Sequence, residues 1–229
     1  MARIYEHQGK QLLAGAGLRV PRGEVATTPE QAKEIARRIG KRVVIKAQVW
    51  TTGRFKAGGI KFADTPEEAC VRARQVLETN IKGLPVTKVL VEELLKVAHE
   101  YYVGIVVNSS VNIKAPVLVF STEGGTGIEE VAARNPERVG KLLIDAIDGL
   151  DIGRVRDLLT RMKVEEERRE ELANAIWGLY RVFRDYDARS IEMNPLVWTD
   201  DGQAYAADCH VTLDDGSIFR HPEFGIEVP

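Results

Sequence analysis

The chain has 229 residues, of which 44% are hydrophobic and 29% are charged, so it can bury one large core or two small ones. Its 32 basic and 34 acidic side chains give a net charge of −2, which argues against a polybasic nucleic-acid binder and against a membrane-surface protein. Two widely separated cysteines without metal-ligand spacing, and an N-terminus without the apolar stretch of a signal peptide, predict a cytoplasmic protein.

Helix and strand signals alternate along the chain, which favours an α/β or α+β fold. Thr28 and Thr65 each precede Pro-Glu, the pattern of an N-cap followed by a first-turn proline, and the two helices are expected to end at Gly40 and near Asn80. Crossovers between domains are expected near residues 18–24 and 95–100. Strands are predicted at 42–47, 58–62, 87–92, 100–108, 114–121, 188–198 and 204–210, and helices at 136–148, 151–162 and 165–186.

The first candidate site is the segment RVVIKAQVWTTGRFKAGGIKF, residues 42–62. A β-branched run ends on Lys46, and a lysine at the carboxyl end of a buried strand could meet a phosphate. The glycine-rich loop that follows could bring backbone N–H groups to an anion, with Arg54 and Lys56 as counter-charges. A solvated hairpin loop explains the same residues, and neither GxxxxGK[ST] nor GxGxxG is present, so other segments must decide.

The second candidate is KVLVEEL, a predicted strand that ends on adjacent carboxylates. Glu92 and Glu93 should point to opposite faces of that strand, so only one of them can face a given site, where it could bind a ribose hydroxyl. Glu100 lies farther along, beside Tyr101 and Tyr102. Taken alone, a solvated strand end explains the paired glutamates better than a binding site does, and Glu100 could likewise belong to the polar face of a strand.

The third candidate is SIEMNPLVWTDDGQAYAADCH, a predicted hairpin. Asp200-Asp201-Gly202 suits a three-residue loop closed by a left-handed glycine. That loop sets the register, with Asn194 opposite Asp208 and Glu192 opposite His210, all four expected on one face.

The chemistry of this hairpin predicts a metal site. The amide oxygen of Asn194 and the carboxylate of Asp208 are hard donors, and Mg²⁺ usually takes one or two such ligands together with nucleotide phosphates. Glu192 would remain for a second metal or for a transfer step. Strict alternation along the two strands puts Val197 on the apolar face and Ala206 on the polar one. The alternative to a metal site is a polar hairpin face that is simply exposed to solvent.

Several segments carry a family resemblance: YEHQGKQLL, KAQVWTTGRFKAGGIK, VLVEE, STEGGTGIEEVA, IEMNPLV and DDGSIFRHPEF. They run from end to end in the order of the ATP-grasp part of succinyl-CoA synthetase β subunits, within the NDP-forming acyl-CoA synthetases. The resemblance implies an α+β ATP-grasp fold in which two small subdomains sandwich the nucleotide, with a helical segment at about 136–186. Residues 1–20 and about 100–229 would form one subdomain, and about 21–99 the smaller, lid-like one.

The resemblance also implies roles for individual residues. ATP would be held by Lys46, Gly53, Arg54, Phe55, Glu92, the backbone near Leu95, and Glu100. Mg²⁺ would be bound by Asn194 and Asp208, and Arg54 and Glu192 would serve phosphoryl transfer, with Glu192 beside a phosphohistidine on another subunit. Three residues depart from the family pattern: Trp50 replaces histidine, Phe55 replaces glycine and His210 replaces lysine.

The function implied by the resemblance is that of an ATP-binding subunit of an ADP-forming acyl-CoA synthetase. It would exchange phosphate between ATP and a histidine on an α-like partner that binds CoA, so that a small carboxylic acid becomes a thioester. The family's further CoA-ligase domain is not found before Pro229. Three alternatives remain open: a non-catalytic nucleotide-binding remnant, a related citrate- or malate-CoA ligase, and an ATP-grasp ligase of the carboxylate–amine type.

Overall fold

The computed structural model describes residues 2–51, 53–110, 113–125 and 127–226, so Thr52 and Thr126 of the two glycine-rich segments lie outside it. The chain divides into two compact units. The large unit comprises Met1–Val20 and Lys96–Pro229, and the small unit comprises Pro21–Leu95. One boundary falls between Val20 and Pro21, and the other between Leu95 and Lys96.

The elements follow one another closely along the chain. The strands are β1 (Ala2–Arg3), β2 (Gly23–Ala26), β3 (Val43–Ala47), β4 (Ile60–Ala63), β5 (Asn80–Ile81), β6 (Leu84–Pro85), β7 (Val89–Glu93), β8 (Val97–Ser110), β9 (Ile113–Ser121), β10 (Val139–Leu143), β11 (Ala188–Thr199), β12 (Ala204–Ala206) and β13 (His210–Leu213). The helices are α1 (Glu6–Gly15), α2 (Pro29–Ile39), α3 (Pro66–Leu77), α4 (Ile128–Arg134), α5 (Ile152–Arg161) and α6 (Glu166–Asp185), with 3₁₀ turns at Pro136–Arg138, Asp215–Arg220 and Pro222–Phe224.

The small unit is a four-stranded sheet, in the order β2-β7-β3-β4, against which α2 and α3 pack. The helix starts are those that the sequence predicts. The Thr28 hydroxyl accepts a hydrogen bond from the Gln31 N–H at 3.2 Å, and Thr65 caps α3 in the same way. Helix α2 ends at Ile39 and is capped by Gly40, where φ is +68°, as the sequence predicts. Helix α3 ends at Leu77, before the predicted Asn80, because Asn80 pairs in a strand.

The large unit contains a seven-stranded sheet, in the order β1-β13-β11-β8-β9-β10, with β12 added beside β11. Helices α1, α5 and α6 pack against it, and their apolar side chains form one continuous core with those of the strands. Every strand pair of both units is antiparallel among the described residues, so the fold is α+β rather than α/β. No helix in the described part of the chain is long and apolar enough to cross a bilayer.

The predicted helix at 136–148 is wrong. The chain there forms the 3₁₀ turn Pro136–Arg138 and then β10, which pairs antiparallel with β9. Burial alternates along β10, with Gly140 and Leu142 inside and Lys141 exposed, which is the period of a strand. A Cβ at Gly140 would come within 2.6 Å of Leu158 Cδ1, so α5 packs directly on this backbone. The remaining part of the predicted helical segment is helical, as α5 and α6.

Candidate nucleotide and metal site

The hairpin between β11 and β12 has the predicted register. The Thr199 N–H donates to the Gln203 carbonyl at 2.9 Å, and Gly202 closes the loop with φ +74°. Val197 then pairs with Tyr205, and Glu192 pairs with His210. These pairs on either side place Asn194 across from Asp208, in the gap that separates β12 from β13.

The face assignment of this hairpin needs a correction. The core of the large unit contains Ile191 and Met193 but also Leu196 and Trp198, so the alternation of β11 changes phase at Asn194–Pro195. The segment that pairs with β11, residues 204–213, also changes its inside–outside alternation at this level, because Ala206 belongs to the core together with Cys209 and Val211.

The neighbouring strand shows the corrected faces. Val197, expected on the core side, lies directly opposite Glu100 of β8, and the pairing of β11 with β8 shifts between Met193 and Leu196. Pro195 has no N–H for the ladder, so a bulge forms there, and bulges commonly redirect side chains beside functional sites. Asn194 and Asp208 therefore lie at the irregularity itself rather than on a uniform polar face.

Both proposed metal ligands have backbone partners. The Asn194 Oδ1 accepts a hydrogen bond from the Gly125 N–H at 2.9 Å, and the Asp208 Oδ1 accepts one from the Cys209 N–H at 2.8 Å. Among the described residues, no three His, Cys, Asp or Glu side chains gather as a metal site. One carboxylate and one amide oxygen fit Mg²⁺, which keeps most of its shell for water and phosphate.

Glu100 is brought to the same place through the segment after β9. Gly125 has φ +75°, and a Cβ built on it would clash with Glu100 Oε2. The Gly124 N–H donates to the Glu100 carbonyl at 3.0 Å, so this glycine pair lies directly on the start of β8. The structure thus joins Glu100 and Asn194, which come from distant parts of the sequence, through Gly125.

Glu192 is held by two side chains. Its Oε2 accepts a hydrogen bond from the Tyr102 hydroxyl at 2.9 Å, and its Oε1 lies 3.4 Å from His210 Nδ1. Burial alone would raise the pKa of the Glu192 carboxyl, but the nearby His210 ring and the hydrogen bond from Tyr102 outweigh it, so that pKa is lowered. Burial and the charge of Glu192 raise the pKa of Tyr102, which therefore stays a hydrogen-bond donor.

In the small unit, Lys46 and Glu92 form a buried ion pair. The Lys46 Nζ lies 2.9 Å from Glu92 Oε2, and the two side chains are 10% and 2% exposed. Lys46 pairs with Leu90 and Val44 pairs with Glu92, so the two charges are diagonal neighbours on adjacent antiparallel strands. The sequence argument for Lys46 relied on the rule that parallel sheets bind ligands at the carboxyl ends of their strands. That rule does not apply here, because the strands of this sheet are antiparallel.

The adjacent carboxylate points elsewhere, as the sequence predicts. Glu93 makes a bidentate contact with the guanidinium of Arg22 at 3.0 and 3.3 Å. Burial would raise the pKa of Glu93, but the hydrogen bonds from Arg22 lower it. Glu93 thus belongs to a structural ion pair. Leu95, whose backbone is expected to bind nucleotide, is the last residue of the small unit and is half-buried.

The glycine-rich loop folds back on β3. Arg54 is 3% exposed, and one of its terminal N–H groups donates to the Ala47 carbonyl at 3.0 Å. Gly53 has φ +74° and Gly58 has φ +75°, conformations that favour glycine. Phe55 is 65% exposed, so the residue that replaces the family's glycine presents its ring to solvent.

Sequence reasoning missed Tyr102 and Gly125 as parts of this site. Tyr102 was signalled by its position two residues after Glu100, since alternate residues of a strand share a face. Gly125 was signalled by the resemblance of STEGGTGIEEVA alone, because its contacts with Glu100 and Asn194 are non-local. Two further buried charges, Glu6 and Lys10, lie in the segment YEHQGKQLL.

Known proteins resemble this chain in sequence and in fold. The family described as "ATP-grasp domain" matches residues 3–198. The chain is 48% identical over 220 residues to the Thermus thermophilus "Succinate--CoA ligase [GDP-forming] subunit beta", covering 96% of this chain and 57% of the relative. It is 46% identical over 221 residues to the Archaeoglobus fulgidus "Succinate--CoA ligase [ADP-forming] subunit beta 1", again with 96% and 57% covered. The chain thus spans a little over half the length of these relatives.

Solved structures show the same fold at low identity. A Candidatus Korarchaeum cryptofilum dinucleotide-forming acetyl-coenzyme A synthetase, in complex with coenzyme A and a phosphorylated phosphohistidine segment, matches with a TM-score of 0.72 and 19% identity over 93% of both chains. The ATP citrate lyase of Methanothrix soehngenii matches with a TM-score of 0.71 and 20% identity, covering all of this chain and 55% of that one. The ATP-grasp family matches well over half of this chain, and both solved structures share the chain's fold. This chain therefore belongs to the ATP-grasp family, whose fold implies nucleotide binding.

Proposed function

We propose that this chain is the ATP-binding part of an ADP-forming acyl-CoA synthetase similar to succinate–CoA ligase. The observation that carries the proposal is the opposition of Asn194 and Asp208 across the β11 hairpin, with Glu192 two residues away and Glu100 joined to Asn194 through Gly125. A protein that only retained the fold would have no physical need for this set of oxygen donors. The length and identity of the match to succinate–CoA ligase β subunits support the same reaction class.

The residues of this chain have positional and electrostatic tasks. Phosphoryl transfer needs in-line geometry and charge neutralisation more than a protein nucleophile, so Lys46 and Arg54 would bind phosphate oxygens. Asn194 and Asp208 would hold Mg²⁺, which when bound neutralises phosphate charge. Gly53 and Phe55 would contact the phosphates from the glycine-rich loop, and Glu92, the backbone near Leu95, and Glu100 would hold the nucleoside.

Glu192 would act on a histidine supplied by a partner subunit. Because its pKa is lowered, the Glu192 carboxyl is ionised at neutral pH and can accept a hydrogen bond from a ring N–H of that histidine. Accepting this bond sets the tautomer and leaves the other ring nitrogen with a lone pair for attack on the γ-phosphate. Tyr102 donates to Oε2 and thereby fixes the direction of the carboxylate.

The proposal also assigns the partner's part of the reaction. We propose that an α-like subunit carries the phosphohistidine and binds CoA, so that the two chains act as a hetero-oligomer on succinate or a related small carboxylic acid. The β-subunit names of the relatives and the phosphohistidine segment of the acetyl-coenzyme A synthetase support this division.

A transfer assay tests the function. With [γ-³²P]ATP and Mg²⁺, we expect no stable phosphate on the isolated chain, and acid-labile, alkali-stable phosphate on an added α subunit of a succinate–CoA ligase. A partner variant without its active histidine serves as the control, and Glu192→Gln should slow labelling by at least about 100-fold, as is usual when a group that assists proton placement is lost. Stable label on this chain itself, or phosphate release only with an amine acceptor, would contradict the proposal.

A glycine substitution tests the link between Glu100 and Asn194. Gly125→Ala should weaken Mg·ATP binding about tenfold, because the new methyl group displaces the Glu100 carboxylate and disturbs the bond to Asn194, and a neutral hydrogen bond contributes up to about 1.5 kcal/mol. Gly202→Ala is the matched control, since it has the same positive φ and its Cβ would approach only Trp198, at 3.9 Å. Isothermal titration calorimetry gives both affinities; equal losses in the two variants would remove the role of Gly125.

A further inference from the structure

A buried ion pair joins the first two turns of α1, outside the nucleotide and metal ligands. The Lys10 Nζ is 2.9 Å from Glu6 Oε1, and the two side chains are 4% and 2% exposed. Burying two charges carries a desolvation cost of several kcal/mol per ion, and a well-packed apolar pair is often at least as stable. Stability alone therefore does not account for these two charges.

Lys10 makes a second contact, with the backbone of the candidate metal site. Its Nζ donates to the Ala207 carbonyl at 2.8 Å. Ala207 lies in the gap between β12 and β13, where ladder pairing is interrupted, and it directly precedes Asp208. The Ala207 N–H donates to the Pro195 carbonyl at 3.2 Å, so both polar groups of this residue are held, one by β11 and one by Lys10.

Helix α1 is pressed closely against the same segment. A Cβ on Gly9 would lie 2.9 Å from Cys209 Sγ and 3.2 Å from Val211 Cγ2, so a side chain at this position would force Cys209 to shift. The face of α1 that carries Glu6, Gly9 and Lys10 thus contacts the residues on both sides of Asp208, Ala207 through Lys10 and Cys209 through Gly9.

We propose that Lys10, oriented by Glu6, is a positioning residue for the metal site: by fixing the carbonyl of Ala207 it fixes the peptide that aims the Asp208 carboxylate. The proposal rests on the metal role of Asp208 in the proposed function. Because the charges of Glu6 and Lys10 cancel, the pair orients this peptide while adding no net charge near a divalent cation. Outer-shell contacts of this kind typically change metal affinity by 10- to 100-fold.

The test separates positioning from stability. The double variant Glu6→Gln/Lys10→Met removes both buried charges and the donor to Ala207 while retaining the length of both side chains. We expect its affinity for Mn²⁺ in the presence of saturating ADP, measured from the free Mn²⁺ signal in electron paramagnetic resonance, to fall at least about tenfold, with a Tm equal to or above that of the wild type. The matched control Arg156→Met/Glu170→Gln removes an exposed pair between α5 and α6 and should leave Mn²⁺ affinity unchanged.

A second variant keeps both charges in place. Gly9→Ala should also weaken Mn²⁺ binding, because its methyl group displaces Cys209 and with it the neighbouring Asp208. A folded double variant, or a folded Gly9→Ala, that binds Mn²⁺ like the wild type overturns the positioning role and leaves the proposed function standing. If the wild-type chain with ADP binds no Mn²⁺, the metal site fails, and this inference fails with it.

Discussion

Asp208→Ala is expected to reduce Mg²⁺-dependent nucleotide binding by more than about 100-fold without unfolding the chain. The loss should exceed that caused by removing an outer-shell partner, for which 10- to 100-fold is typical, because a direct anionic ligand disappears. The cost in stability should be only about 1 kcal/mol, since the side chain is half-buried and its bond from the Cys209 N–H is an ordinary hydrogen bond. Titration with ATP at several Mg²⁺ concentrations, together with thermal melting, measures both quantities.

Two variants make this result specific. Asp208→Asn preserves shape and the bond from Cys209 but removes the negative charge, so an intermediate loss of affinity is expected. Asp214→Ala removes a carboxylate that also accepts a backbone N–H, that of Gly216 at 3.1 Å, and it should leave nucleotide binding unchanged. Binding by Asp208→Ala that still depends on Mg²⁺ with the wild-type affinity would remove Asp208 from the metal site.

Lys46→Met is expected to destabilise the chain by about 3–5 kcal/mol, because it leaves the carboxylate of Glu92, which is 2% exposed, as an uncompensated buried charge. It should also abolish phosphate binding by the small unit. The double variant Lys46→Met/Glu92→Gln should recover most of the stability, since no buried charge remains. It should not recover nucleotide affinity, because the cation is still missing.

Urea denaturation and nucleotide titration of the single and double variants separate these two roles. The exposed pair of Arg38 and Glu24 provides the control: both side chains are 55% exposed, so Arg38→Ala should cost less than about 1 kcal/mol. Wild-type nucleotide affinity in the double variant would show that the pair of Lys46 and Glu92 is structural only, and unchanged stability in Lys46→Met would contradict the buried pair itself.

The bulge at Asn194–Pro195 shows why the site could be anticipated only in part. A three-residue loop sets hairpin register locally, and that register is correct. The direction of the side chains is a different matter, because it depends on a shift in the pairing of β11 with β8, a strand that is distant in sequence. Period-two alternation, applied through the proline, therefore assigned Val197 and Ala206 to the wrong faces.

Several features were determined by the sequence alone. The caps at Thr28 and Thr65, the stop at Gly40 and the Asp-Asp-Gly loop depend on neighbouring residues, so short-range chemistry suffices to predict them. The residues proposed to bind nucleotide and metal follow from the resembling segments and their order along the chain. Local patterns could not distinguish these residues from solvated strand ends.

Only the tertiary structure decided which of these residues meet. Strand β10 replaces a predicted helix because β9 offers an edge to pair with, and Lys46 meets Glu92 because two antiparallel strands bring their charges together. Gly125 joins Glu100 to Asn194, and Lys10 reaches the peptide before Asp208, through contacts that span 69 and 197 residues. Such contacts depend on the packing of the whole chain, which no local sequence pattern encodes.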